Sequence, residues 1–381
     1  MIMIVRSVSL LTALAFASLP GCVMEDPGDT GEAVDSISAA SFSYFPMGFA
    51  RVRADGVILE QFNSASAASA TVTHTPGSGL YTVSFPGLAS GFNGHVQITA
   101  EGTGNHRCRS MGWSPSGTTQ QMTVQCNLAG GAVADAAFAV LFFRYQQPTT
   151  LTDFATAAYL WVTGGASPSA PAGYNYNASG RLNTVVRNSA GNYTVTIPRG
   201  SAFNVSMMVT AYNGSGAPFC QIGNWGSSID TTINVRCWNT AGVAADSDFA
   251  LSYSTSGPTM SQLGAHAWFD GTSASSSYSA ALGRIMGCSS ASVTGSRSGN
   301  LASVVVQGDM GPFDASPFRR ASFVNGYGST PKSCKVESRT ASSSGSNSTS
   351  TSTVRCYDGA GAEVLPVFTF TEATSEAAGP C

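Results

Sequence analysis

The chain has 381 residues, a net charge of −3 and only 10% charged side chains, while 43% of its residues are apolar. An average globular domain carries roughly 25% charge, so this surface is made of Ser, Thr, Asn and Gly, as suits an exported all-β protein. The charge balance excludes a basic footprint for nucleic acid and a polybasic patch for anionic lipid.

Arg6 is the only charge ahead of an apolar run from Val8 to Leu19. The run is too short for a permanent span and has the length of a signal-peptide core. It ends in Leu19-Pro20-Gly21-Cys22, which resembles a bacterial lipoprotein signal. In such signals the cysteine is lipidated and becomes the first mature residue; Pro20 departs from the usual pattern. Ala15-Phe16-Ala17 offers a competing, ordinary cleavage site. Residues 1–21 are thus read as a signal peptide. Residues 22–40 are read as a lipidated cysteine and an acidic tether with Glu25, Asp26, Asp29, Glu32 and Asp35. So little of the tether can be buried that it is expected to stay disordered.

A motif then recurs three times: a cysteine, four residues, a glycine, six residues, a phenylalanine. Its copies are Cys126, Gly131 and Phe138; Cys237, Gly242 and Phe249; Cys356, Gly361 and Phe368. Each closes a block of about 110 residues, so the chain divides into modules at 41–147, 151–257 and 263–373, with a tail at 374–381. Blocks of this size can bury a core of their own.

In block one, Phe49-Ala-Arg-Val-Arg53, Asp55-Gly56 and Val57-Ile-Leu59 read as a hairpin. Tyr81, Val83 and Phe85 alternate on one face of a strand, and His95 to Thr99 forms another. Cys108 and Trp113 follow, then Met122 to Cys126 and the closing run Phe138 to Phe143. Block two repeats this order. Tyr159-Leu-Trp161 opens it, Tyr193 to Ile197 matches Tyr81 to Phe85, and Met207 to Ala211 matches Val96 to Ala100. Trp225 follows Cys220 by five residues, as Trp113 follows Cys108. Block three diverges. Ala265 and Trp268 echo Ala158 and Trp161, but Leu301 stands at the place of Tyr193 and Arg339 at the place of the tryptophan. Ala341 to Thr353 is a Ser/Thr-rich insert, read as a solvated hairpin loop. No stretch sustains a 3.6-residue period. The predicted fold is all-β: three tandem β-sandwich-like modules after a signal peptide and a disordered tether.

Cysteines recurring at matching points of an exported chain predict the bridges Cys108–Cys126, Cys220–Cys237 and Cys334–Cys356. Each closes a loop of about 20 residues, worth about 3 kcal/mol in chain entropy. Cys288 and Cys381 occur only in block three. They form a fourth bridge, remain as two free thiols, or make an intermolecular link. No cysteine pair has zinc-like CxxC spacing.

The run Gly-Asn-Tyr193-Thr-Val-Thr-Ile-Pro, Val-Thr-Ala211, Cys220 with Trp225, Val235-Arg-Cys237, then Gly242, Asp246 and Phe249 resembles an uncharacterised repeat of bacterial secreted proteins. The resemblance covers most of blocks one and two and fades in block three. It implies export and a repeated β-module, with no activity and no catalytic residues.

Chemistry-bearing patterns are few. His74, His95, His106 and His266 form no HExxH pair. Gly112-Trp-Ser114-Pro-Ser-Gly117 misses a nucleophile elbow by one position. Asp246-Ser-Asp248 would suit calcium, but Asp248 has no counterpart in block one and Leu365 fills the Asp246 position in block three, so a turn-stabilising aspartate is the expectation. Trp113 and Trp225 either pack on the neighbouring disulfides or face solvent and stack on a sugar ring. Tyr174 and Tyr176, beside Asn175 and Asn177, form a second aromatic cluster, read as a loop that binds a ligand or simply turns.

The expected function is that of a non-enzymatic, lipid-anchored envelope protein in adhesion, scaffolding or ligand binding, without cofactor or metal. Its partners are the membrane, through the lipid, and a surface glycan or protein. The alternative is a secreted hydrolase or inhibitor with a loop-built site. Aromatic side chains grouped on one face favour the first reading, and a cleft of convergent His, Asp, Glu or Ser the second. If Cys22 is the mature N-terminus, the intact mass of the membrane fraction carries added acyl chains; an unacylated chain beginning at Ser18 would remove the anchor.

Overall fold

The computed structural model describes residues 46–91, 93–144, 157–200, 205–213, 216–255, 263–271, 275–276, 292–309, 319–344 and 347–374. Cys22, the tether, Cys288 and Cys381 lie outside the described residues.

Module one contains β1 (Met47–Val52), β2 (Ile58–Asn63), β3 (Thr71–His74), β4 (Leu80–Phe85), β5 (His95–Glu101), β6 (Arg107–Ser116), β7 (Thr119–Asn127) and β8 (Ala137–Phe143). Module two contains β9 (Ala157–Val162), β10 (Asn175–Asn177), β11 (Thr184–Ser189), β12 (Asn192–Ile197), β13 (Val205–Tyr212), β14 (Phe219–Ser227), β15 (Thr231–Trp238) and β16 (Asp248–Thr255). Module three contains β17 (Leu263–Asp270), β18 (Ser275–Ser276), β19 (Ser292–Ser298), β20 (Leu301–Asp309), β21 (Arg320–Gly326), β22 (Ser333–Ser344), β23 (Asn347–Tyr357), β24 (Glu363–Val364) and β25 (Val367–Thr374). The all-β expectation holds: among the described residues the only helical turn is a 3₁₀ turn at Ala172–Tyr174.

Each module is two facing sheets. An inner sheet joins its first, last and middle strands: β1-β8-β5, β9-β16-β13 and β17-β25-β21. An outer sheet carries the cysteines: β4-β7-β6, β12-β15-β14 and β20-β23-β22. The alternation predicted for the outer strands is the observed burial. Tyr81, Val83 and Phe85 are buried, with Thr82 and Ser84 between them, and Tyr193, Val195 and Ile197 repeat the pattern. The three bridges form as predicted, with Cα–Cα separations of 4.1 Å for Cys108–Cys126 and 4.0 Å for the other two. In each, the cysteines face one another across neighbouring antiparallel strands. The Ser/Thr insert read as a loop instead lengthens the β22–β23 hairpin, which stays paired out to Ser344 and Asn347. Hydroxyl-bearing β-formers such as Thr349, Thr351 and Thr353 suit a ladder as well as a loop.

The sequence leaves the orientation of the modules open. In the structure they close into a ring by contacts that repeat at equivalent positions. The residue two beyond the first cysteine of each module pairs with the end of the next module's middle strand: Ser110 with Tyr212, Ile222 with Tyr327, Val336 with Glu101. The residue after each strand end donates its N–H to that same partner. Asn213 bonds Ser110 O at 2.7 Å, Gly328 bonds Ile222 O at 3.0 Å, and Gly102 bonds Val336 O at 2.9 Å. One module's outer sheet thereby continues into the next module's inner sheet.

A second ring lies deeper. Thr99, Thr210 and Asn325 occupy one position of β5, β13 and β21. Thr210 Oγ1 accepts from Ile98 N–H at 2.9 Å, Asn325 Oδ1 from Val209 N–H at 3.1 Å, and Thr99 Oγ1 from Val324 N–H at 3.1 Å. Each module thus satisfies a buried donor of another, and the cycle closes after three. Every module keeps its own apolar core. A fourth core, built from all three inner sheets, includes Phe49, Leu141, Tyr159, Met208, Phe323 and Ala373. Burial of a large side chain such as Phe323 there contributes about 2–3 kcal/mol.

The recurrent motif turns meet in the same cyclic order. Gly131, Gly242 and Gly361 all have positive φ, at 92°, 72° and 89°. A Cβ on Gly131 would stand 2.9 Å from Thr240 Cγ2, and one on Gly242 would stand 2.9 Å from Gly359 Cα. On Gly361 it would strike Asn105 and Ala129. The glycine is therefore required twice over, by backbone conformation and by the approach of the next turn.

Thr210→Val keeps the shape but removes the oxygen that accepts Ile98 N–H and the hydroxyl that donates to Gln97 Oε1 at 2.8 Å. It should cost about 1–3 kcal/mol, the penalty of an orphaned buried group, in urea unfolding. Because the lost bond joins two modules, all three should lose stability together, rather than module two alone.

Candidate functional site

The ring contacts create three seams, and their chemistry differs. At the seam of modules one and two, four rings meet: Trp113 of β6, Trp161 of β9, Tyr174 of the 3₁₀ turn and Tyr212 at the end of β13. Trp113 lies 5.7 Å from Trp161, 5.8 Å from Tyr174 and 5.3 Å from Tyr212, ring centre to ring centre. Trp161 lies 5.1 Å from Tyr174 and 5.0 Å from Tyr212. All five contacts are edge-to-face, the arrangement that ring quadrupoles favour. All four side chains are half-buried, so part of each reaches solvent. At the seam of modules two and three, Trp225, Trp268 and Tyr327 occupy the same positions, at 5.2 to 6.2 Å and again edge-to-face.

The seam of modules three and one replaces the rings with charge. Arg339 stands at the Trp113 position, Arg51 at that of Trp161, Glu60 at that of Tyr174 and Glu101 at that of Tyr212. Arg51 pairs with Glu101 at 2.9 Å and with Glu60 at 3.1 Å, and Arg339 pairs with Glu60 at 2.8 Å. Burial pulls the Arg51 guanidinium down, but its bonds to Glu101 and Glu60 outweigh this and hold it above its ordinary value. Nearby, Arg320 and Glu372 form a fully buried pair at 2.8 Å, and Ser350 Oγ donates to the other Glu372 oxygen.

Two of the predicted aromatic candidates, Trp113 and Tyr174, come together here, and Trp225 lies in the second seam. Trp113 and Trp225 each also pack against their own module's core, as the core reading expected. Tyr176 does not join them. It is buried in the shared core, stacked on Tyr159 at 5.5 Å, and burial pushes its phenol up to about 12. The two tyrosines are two residues apart and share a face, but Tyr176 stands opposite Tyr159 in the shared core while Tyr174 meets Trp161 further along the strand, at the seam. Sequence reasoning missed Trp161, Tyr212, Trp268 and Tyr327 as site residues. The available signal was that Trp161 and Trp268 recur at one position, as do Tyr212 and Tyr327.

The carboxylates singled out for calcium hold turns. Asp246 Oδ1 accepts from Arg187, from Gly191 N–H at 2.9 Å and from Tyr193 Oη at 3.0 Å. The Arg187 bond, more than any other contact, draws its carboxyl down to about 2. Asp248 Oδ1 accepts Gly165 N–H at 3.1 Å. Asp135 binds Gly77 and Gly79 N–H in module one, and His74 at 2.9 Å, whose ring stacks on Tyr81. No group of three metal-ligating side chains occurs among the described residues.

On the ring axis lies a small cavity of about 50 Å³, lined by Thr99, Thr210, Asn325, Arg107, Phe219 and Lys332 together with the first cysteine of each bridge.

The ionic seam can be broken at a single residue. Glu60→Gln leaves Arg339, whose side chain is 3% exposed, without its carboxylate. The loss should be about 3 kcal/mol in denaturant unfolding, since breaking a buried pair from one side strands a charge.

Comparison with protein-family models, with curated proteins and with solved structures gives no match, so the likeness to secreted repeat modules rests on the motifs quoted above.

Proposed function

We propose that the protein is a non-enzymatic binding protein of the cell envelope, tethered through a lipid on Cys22, which takes a neutral glycan at the aromatic seam of modules one and two. The observation that carries this reading is the four-ring cluster of Trp113, Trp161, Tyr174 and Tyr212, half-buried and fixed by two modules at once. A sugar ring presents an apolar C–H face that stacks on an aromatic face, and its hydroxyls need neighbouring amides and hydroxyls, which this charge-poor surface supplies. The rings reach the seam already packed, so little side-chain entropy is lost on binding. The cluster itself is four uncharged rings, which favours an uncharged sugar over an anionic one.

A glycan array probed with the purified mature chain tests this. Binding should centre on neutral oligosaccharides. Trp113→Ala and Trp161→Ala should each weaken it about ten-fold or more, on the scale of one lost aromatic stack, while Arg53→Ala, exposed and remote in sequence from the seam, leaves it unchanged. Melting curves of the variants separate lost binding from lost folding. Absence of binding to any glycan, or binding indifferent to both tryptophans in folded variants, would sink the reading.

A further inference from the structure

Among the described residues, Arg51, Arg53, Arg187, Arg320, Arg339 and Arg355 each meet a carboxylate. Arg107 does not. It is 7% exposed, and the acceptors of its terminal nitrogens are backbone carbonyls. Nη1 donates to Ala129 O at 3.3 Å, and Nη2 donates to Asp358 O at 2.6 Å and to Gly359 O at 3.1 Å. One face lies 3.9 Å above the Phe219 ring. Its Nε is buried and has no hydrogen-bond partner among the described residues. The Asp358 carboxylate is near enough to be felt, but Asp358 Oδ1 accepts Ala362 N–H at 2.9 Å. A buried cation held only by neutral groups is costly, and so is an unpartnered buried donor.

Arg107 lines the axial cavity, and no carboxylate does. Lys332 adds a second cation to the lining, and Thr99, Thr210 and Asn325 add hydroxyl and amide groups from all three modules. The volume of about 50 Å³ exceeds what a single water needs and suits a small anion such as phosphate or a small carboxylate. We propose that the axial cavity is a binding site for a small oxyanion, seated against the Arg107 guanidinium and completed by Lys332. The ligand would touch all three modules, so it would bind only the closed ring and stabilise it by mass action. The site is separate from the aromatic seams, and its fate does not depend on glycan binding.

Calorimetric titration of the mature chain at constant ionic strength, with inorganic phosphate in one arm and acetate in the other, tests the proposal and distinguishes the two anion types. One of them should bind with a stoichiometry of one. Arg107→Gln should weaken it about ten-fold or more, the scale of a lost charge-assisted hydrogen bond, whereas Arg53→Gln, on the exposed β1–β2 turn, should not. No saturable binding of either anion, or binding equally strong in Arg107→Gln, overturns it. Should Arg107→Gln fail to fold, crystals of the unaltered chain soaked in selenate decide: an anomalous peak beside Arg107 Nε supports the site, and peaks confined to the outer surface overturn it.

Discussion

The structure depends on three buried oxygens. Thr99, Thr210 and Asn325 each accept a backbone N–H from another module, and each donor is in a middle strand buried on both faces. Were a module to leave, its inner sheet would expose an apolar face to water and strand a donor and an acceptor at once. The modules have separate cores and separate bridges, which by themselves would allow independent folding. The ring removes that independence, because none of the inner sheets is completed by its own module. The tandem repeat is thus better described as one cyclic assembly encoded on a single chain.

A ring of three similar modules has an assembly problem. If all three seams were alike, the third module could close on the first module of another chain as readily as on its own partner, which is the hazard of domain swapping. The chain makes one seam unlike the others. Two carry packed rings, and the closing seam carries Arg339, Arg51, Glu60 and Glu101. A tryptophan facing Glu101, or Arg339 facing Tyr212, would bury a charge without its partner. Buried ion pairs contribute little net stability against well-packed apolar groups. Their value here is in discriminating the closing contact from the sequential ones. Only 10% of the chain is charged, and the concentration of paired arginine and glutamate at this seam accords with that role.

Much of the fold was legible. The outer strands alternate because one face meets a core and the other meets solvent, so Tyr81, Val83 and Phe85 could be assigned without coordinates. The cysteine pairs followed from recurrence. The inner strands were harder. In β5, Val96, Ile98 and Ala100 alternate with His95, Gln97, Thr99 and Glu101, which looks half-solvated, yet the whole strand is buried. Its polar face points at the other modules, where Gln97 bonds Ala250 O and Thr99 bonds Val324. Periodicity reports that two faces differ, not that one is wet. Of the site, Trp113 and Tyr174 could be singled out as aromatics near a disulfide and in a loop. Their partners Trp161 and Tyr212 sit in strands, where nothing in the sequence marks a seam until the modules are placed.

The fading of the repeat in block three has a physical explanation in paired losses. In module two, Tyr193 Oη donates to Asp246 Oδ1 and accepts Ser247 N–H. In module one, Tyr81 Oη accepts Ala136 N–H. The strand register moves the Tyr193 place in module three from Leu301, where the sequence put it, to Ala302, which faces Val354 as Tyr193 faces Val235, and the other two positions are Leu365 and Pro366. The hydroxyl, the carboxylate and the donor are all gone, since proline has no N–H. Removing every partner of a buried hydrogen bond costs far less than removing one, so three substitutions that look like decay leave no orphaned group. Arg339 belongs to the same logic across a seam: its tryptophan is missing only where Arg51, Glu60 and Glu101 have replaced the rings it would have met. Departures from the motif therefore occur in sets whose members touch, and module three keeps the same ring position as the others while losing much of their sequence.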